Sequence, residues 1–302
     1  MNEIHFQMDL LHHVKMLSCA PSSCLTTIVF ISSFFQITLS LVPAQIPRTV
    51  PQFSVSDLNL LEHVTIHNTT GAVYLGAHNM VYKLDTDLNF QSQANWLTAG
   101  FESTPCPPEN ENCDLDDDDS TEMNNNKVLL VDYENDQLLS CGSSHFGTCV
   151  LHSLDSVKDI EARINDSIAI GETVVAHFGT FRPDGRSFPA LYVASTYEDN
   201  PPSPSMKQHA VATKKLTKSA NGQWQMKLAY ENSAYGRYTY IDLRNQEVKQ
   251  NFKIKYVYGF SVDDAAGLGY SYFLTVQRDR VDSQNHRYVS KMVRICQEDK
   301  GK

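Results

Sequence analysis

The sequence predicts an all-β domain, and three observations predict it. Short apolar runs recur with turn residues between them. No stretch repeats its apolar positions with the period of an amphipathic helix. One strand pair ends in its own small cysteine loop, as in secreted β domains. Strands at such short spacing build a sandwich, a barrel or a propeller.

In chain order, Leu58, Leu60 and Leu61 lead into a strand at 64–67, followed by the sequon Asn68-Thr69-Thr70 at a turn before Gly71. Residues 72–84, AVYLGAHNMVYKL, read as a hairpin with Ala77-His78-Asn79 at its tip. Val73 and Leu75 face one way and Tyr74 the other, the pattern of a half-buried strand. Residues 105–123, PCPPENENCDLDDDDSTEM, have a composition that builds no core and form an exposed loop.

The stretch that organises the chain is 127–149, KVLLVDYENDQLLSCGSSHFGTC. Val128 to Val131 form one strand, Glu134-Asn135-Asp136 supplies the turn, and Leu138 and Leu139 begin the return. Glycines at 142 and 147 let the backbone bend tightly enough for Cys141 and Cys149 to meet. A strand at 150–154 continues from it, and Asn165-Asp166-Ser167 is a second sequon. VVAHFGTF and ALYVAST flank Arg182-Pro183-Asp184-Gly185 in the clearest hairpin, 174–196. After the Pro- and Ser-rich loop 201–207 come strands at 210–216, 224–230 and 238–243, with Asn221-Gly222 turning between the first two. Strands at 255–260, 270–276 and 288–295 complete the series.

A weak internal repeat favours the propeller. Ala72 to Ala77 resembles Ala190 to Ser195 and, less well, Tyr270 to Thr275, with central tyrosines at 74, 192 and 272. The gaps between them are near multiples of the ~40–45-residue blade period, so at that period the chain beyond residue 44 makes about six blades.

Residues 25–42, LTTIVFISSFFQITLSLV, are apolar and end in Val42-Pro43-Ala44, which fits a signal-peptidase site. The leading segment is long, with Lys15 its one fixed cation, and initiation at Met16 gives a more ordinary signal peptide. An uncleaved anchor is the alternative. In both cases residues 1–44 fall outside the fold and the remainder, 45–302, enters the secretory pathway. Five cysteines remain there: Cys106, Cys113, Cys141, Cys149 and Cys296. The economical pairing joins Cys106 to Cys113 and Cys141 to Cys149, each worth roughly 2.5 kcal/mol by loop closure. Cys296 is left as a free thiol, an intermolecular bond or the mark of a missing partner, which reads the chain as a fragment. Zinc has no support, since no Cys-x-x-Cys pair occurs.

The net charge of −10 is unevenly spread. Residues 101–123 hold nine acids and no base, whereas residues 182–302 hold 19 bases and 12 acids. The basic half is either a solvated surface or a face for an acidic protein or polysaccharide. Asp114, Asp116 and Asp118 resemble the start of a calcium loop, but Asp119 stands where its glycine belongs and Asn125 where its glutamate belongs. His145, His152 and His177 share no ligand spacing. There is no Gly-x-Ser-x-Gly elbow and no phosphate loop. Nothing here makes a case for an enzyme, a metal or a cofactor. A propeller hydrolase with acids converging from different blades stays open as an alternative.

CGSSHFGTC, preceded by AVYLGAHNMVYKL and followed by YVYGF (256–260), YFLTVQ (272–277) and SKMVRICQED (290–299), resembles the N-terminal part of a plexin sema domain. The resemblance covers most of 59–299. It implies a seven-bladed propeller, incomplete in this chain, with short-range disulfides matching Cys106–Cys113 and Cys141–Cys149. The order of the motifs places roughly the first half of that propeller here, in preference to the count from length. In the family the cysteine matching Cys296 pairs further downstream. The acidic run 114–119 and the loop 201–206 depart from the family pattern, and 229–250 matches loosely, so no ligand-contact residues are carried over.

The implied function is that of an extracellular, cell-surface semaphorin receptor in guidance signalling, and not an enzyme. The implied partners are semaphorins bound through the sema domain, and a plexin homo-oligomer or a co-receptor. No nucleic acid is implied, and membrane attachment comes only through downstream segments. A semaphorin-type ligand or secreted decoy of the same fold is the alternative.

Overall fold

A computed structural model describes residues 51–55, 60–95, 124–144, 147–164, 166, 168–182, 186–197, 209–229, 239–243, 253–264, 267–279 and 287–297. The chain divides at Gln52 into two units, and every described strand lies in the second, Phe53–Lys302. Among the described residues no helix is long and apolar enough to cross a membrane.

Among the described residues, sixteen strands fall into four antiparallel sheets in sequence order. The first sheet holds β1 (Leu61–Ile66), β2 (Val73–Ala77), β3 (Met80–Leu84) and β4 (Phe90–Asn95). The second holds β5 (Asn126–Asp132), β6 (Gln137–Gly142), β7 (Cys149–Ser153) and β8 (Ile160–Ile164). In the third are β9 (Val174–Phe181), β10 (Phe188–Ser195), β11 (Val211–Lys218) and β12 (Trp224–Leu228), and β13 (Tyr240–Ile241) pairs with the start of β11. The fourth has β14 (Lys255–Asp263), β15 (Gly269–Arg278) and β16 (Tyr288–Cys296). The opening strands β1, β5, β9 and β14 neighbour one another in succession, so each sheet runs outward from an inner strand. These are four blades of a β-propeller.

Consecutive blades pack face to face. Tyr74, Val81 and Ala94 meet Leu129, Leu138 and Val150 between the first and second blades. Val128, Leu139 and Leu151 meet Val174, Leu191 and Met226 between the second and third. Tyr192, Ala194 and Val211 meet Tyr256 and Phe273 between the third and fourth. Burying a side chain such as Phe273, which has no exposed surface, contributes about 2–3 kcal/mol.

The geometry corrects the sequence expectation in three places. Strand β2 does not have one solvated face: all five residues are buried. Tyr74 faces the second blade, while Val73 and Leu75 face a cluster that Phe53 and Val55 join, with the Phe53 ring edge-on to Tyr82 at 5.6 Å. Alternation survives, but an inner blade strand is covered on both sides. Tyrosines 74, 192 and 272 do occupy second strands of their blades. However, the 118 residues from Tyr74 to Tyr192 span two blade steps and the 80 from Tyr192 to Tyr272 span one, because the connections are long. Among the described residues there are four blades rather than the six that length alone gives.

Finally, β4 (FQSQAN) and β8 (IEARI) have no counterpart in the sequence reading. Each is an outermost strand that alternates exposed polar residues with residues turned into the core, Ser92 and Ala94 in one and Ile164 in the other.

Candidate recognition surface

The cysteine loop is built into the second blade. Cys141 on β6 and Cys149 on β7 are direct register partners with Cα atoms 4.0 Å apart, and they form a disulfide. Both are fully buried in the core shared with the third blade. Gly147 has φ 84°, and the Ala169 backbone lies 2.6 Å from where a Cβ would stand. Its carbonyl accepts hydrogen bonds from the amides of Ile168 at 2.9 Å and Ala169 at 3.0 Å, which fastens the loop to the lead-in of the third blade.

Asn68 sits in the exposed turn between β1 and β2. Thr69 Oγ1 donates to its Oδ1 at 2.9 Å, and its amide donates to the Tyr133 hydroxyl at 2.9 Å. Cys296 ends β16 half-buried, with no disulfide partner among the described residues. Cys106, Cys113, Asn165, the acidic run 114–119 and residues 1–44 lie outside the described residues. His152 and His177 are set in different blades, on β7 and β9. Among the described residues no three His, Cys, Asp or Glu side chains gather in a way that could hold a metal ion.

Polar groups lock the blades to one another at their seams. Asn79, at φ 60° on the tip between β2 and β3, donates its amide to the Asn124 carbonyl at 2.9 Å, and its side-chain Oδ1 accepts the Asn124 amide at 2.7 Å. Gly76 is needed beside them, because an added Cβ would meet Asn126 Oδ1 at 2.3 Å. Between the third and fourth blades, the Tyr256 amide donates to Thr173 Oγ1 at 2.9 Å, and Arg182 pairs with Asp263 at 3.3 Å.

The histidines also occupy seams. His152 donates Nδ1–H to the Val157 carbonyl at 2.8 Å, and burial holds its pKa down at about 4. His177 lies between the rings of Tyr192 and Phe273, with centroids at 5.6 Å and 5.0 Å, and burial alone lowers its pKa to about 4. Burial lowers His63 as well and raises Glu62, the latter against the opposing pull of His78 at 3.2 Å. His63, His152 and His177 are packing elements, neutral near neutral pH.

The outward surface carries the polar and aromatic groups that blade packing leaves uncovered. A cleft of about 480 Å³ lies between the second and third blades, lined by Asn135, Gln137, Glu161, Thr217, Lys218 and Trp224. Beside it, Lys218 Nζ stands 4.7 Å from the centre of the Trp224 ring, and Lys215 Nζ stands 5.3 Å from that of Phe188. On the face of the fourth sheet turned from the third, Tyr258, Phe260, Tyr272 and Tyr270 form a run of ring contacts at 6.0, 5.2 and 6.3 Å. Tyr258 and Met292 are more than half exposed there. The sequence reading missed both the lysine–aromatic edge and this aromatic face. The Lys-Lys-x-x-Lys pattern of β11 and the alternate tyrosines of β14 and β15 were the available signals.

No family model matches the chain. It is 28% identical to human plexin-A4 over 253 residues, which cover 78% of this chain and 12% of that protein. It is also 28% identical to zebrafish plexin A3 over 271 residues, which cover 84% of this chain and 14% of the relative. The chain thus spans less than a sixth of the length of the plexins it matches. A solved structure of the full plexin A4 extracellular region superposes with a TM-score of 0.54 at 23% identity, over 80% of this chain and 26% of that one, which bears on the fold. By sequence the chain is similar to the plexins over most of its length, and its described strands share the propeller fold of that solved extracellular region.

Proposed function

We propose that the chain supplies part of the ligand-recognition domain of a plexin-type cell-surface receptor, and that semaphorins are its ligands in guidance signalling. The observation that carries this reading is the similarity to human plexin-A4 over 78% of the chain, too long to lie in one blade. The extracellular origin of the solved relative supports a location outside the cell or on its surface. In this reading residues 1–44 direct entry into the secretory pathway, Asn68 and Asn165 carry glycans, and Cys106 bridges to Cys113. Recognition uses the outer rims of the blades, since their facing surfaces are consumed by packing.

The test is surface plasmon resonance of the full chain against a panel of semaphorin and plexin ectodomains. Saturable binding to at least one semaphorin is expected. Silence across the semaphorins overturns the reading, and binding to plexins alone assigns the chain to the ligand side of the same system.

A further inference from the structure

The outer edge of the third blade carries three lysines that form no ion pair among the described residues: Lys215 and Lys218 on β11 and Lys227 on β12. Lys215 stands directly opposite Lys227 in the antiparallel register. Like charges so placed oppose folding. Arg186 adds a fourth cation, its guanidinium 5.7 Å from the centre of the Phe188 ring that Lys215 also approaches. The whole chain carries a net charge of −10, so attraction of an anion to this edge is local and not a consequence of overall charge.

We propose that this edge is a binding surface for a sulfated linear polysaccharide. Lys215 and Lys218 are three residues apart on one strand and therefore project from opposite faces of the sheet. The cations thus wrap a ridge, which a flexible polyanionic chain can cross and a flat anionic bilayer cannot. Outside the cell the abundant linear polyanions are sulfated polysaccharides, and in this respect the assignment rests on the extracellular reading above. Glu161, hydrogen-bonded to Gln137 in the adjoining cleft, bounds the surface on the side of the second blade.

The test measures binding of the full chain to immobilised heparin between about 50 and 200 mM salt, where displaced counterions make polyanion affinity steeply salt-dependent. Wild type is expected to bind. The combined substitution K215Q/K218Q/K227Q is expected to weaken binding by on the order of tenfold or more and to lower the log–log salt slope by about three, one for each ammonium removed. K158Q/K291Q, made on other blades, should change neither.

Because Lys227→Gln relieves a like-charge pair, the triple variant should melt at or above wild type, which separates lost binding from lost folding. No binding by wild type, unchanged affinity in the triple variant, or equal affinity for desulfated heparin or anionic vesicles overturns the proposal. Semaphorin binding is read on a separate surface, so either proposal can fail without the other.

Discussion

The His177 imidazole is stacked on the Tyr192 ring, with centroids 5.6 Å apart and planes 14° apart, and neither ring nitrogen has a partner among the described residues. Its pKa is near 4, as is that of His152, so both are neutral in the folded state when an unfolded histidine would already be protonated. The unfolded chain therefore binds protons first as pH falls. Stability from these residues is complete above about pH 6.5 and is lost progressively toward pH 4. By pH 5 each histidine lowers the stability by about 2 kcal/mol relative to neutral pH. The melting temperature should drop by on the order of 10 °C between about pH 7.5 and pH 5. His177→Phe should flatten part of that slope, and a melting temperature independent of pH would contradict the account.

Gly259 closes the same seam. An added Cβ would stand 2.7 Å from His177 Nδ1 and 2.9 Å from Val175 Cγ1. Gly259→Ala should destabilise by about 1–3 kcal/mol through overpacking, visible as a lower midpoint in urea with little change in slope. An unchanged midpoint would show that the third and fourth blades are not held this closely.

Replacing both Cys141 and Cys149 by alanine opens a loop of sequence separation 8. Loop-closure entropy puts the loss at roughly 2.5 kcal/mol, and the cavity left in a buried site adds to it. The double variant should be secreted poorly at 37 °C and recover at lower temperature. Normal yield and melting would mean the pair is dispensable.

Asn68 lies on an exposed turn, accessible to a transferase before and after folding. Secretion from animal cells should give a chain whose gel mobility rises on glycosidase treatment. Asn68→Gln should remove part of that shift. If N68Q runs with wild type, the sequon is unused.

Much of the fold was legible because blade strands advertise themselves. VVAHFGTF and ALYVAST combine β-branched residues with a turn between them, and KVLLVD with QLLSCG does the same around Glu134-Asn135-Asp136. In the structure Asp132 Oδ1 accepts the amides of Glu134 and Asn135, and Asp136 takes φ 56°. What sequence could not deliver depended on long-range packing. Tyr74 and Val73 alternate as on any amphipathic strand, and only the neighbouring layers decide that both are buried. The outer strands β4 and β8 turn only one face into the core, at Ala94 and Ile164, so their apolar runs are broken by exposed polar residues and give a weak signal. The lysine edge was hidden for another reason. Lys215 and Lys227 meet across a register that no local pattern specifies.

Among the described residues every strand but β13 pairs only within its own run of consecutive strands, and each blade closes its ladder before the next begins. That has a consequence for how the protein is made. As the chain emerges during synthesis, a finished blade needs nothing downstream to complete its strand ladder, and it presents a ready apolar wall to the strands that follow. Assembly can proceed as a relay, with Leu138 and Val150 laid against Tyr74, then Leu191 against Leu139, then Phe273 against Tyr192. A lesion in an early blade would then halt all later steps, whereas one in the fourth would leave the first three intact.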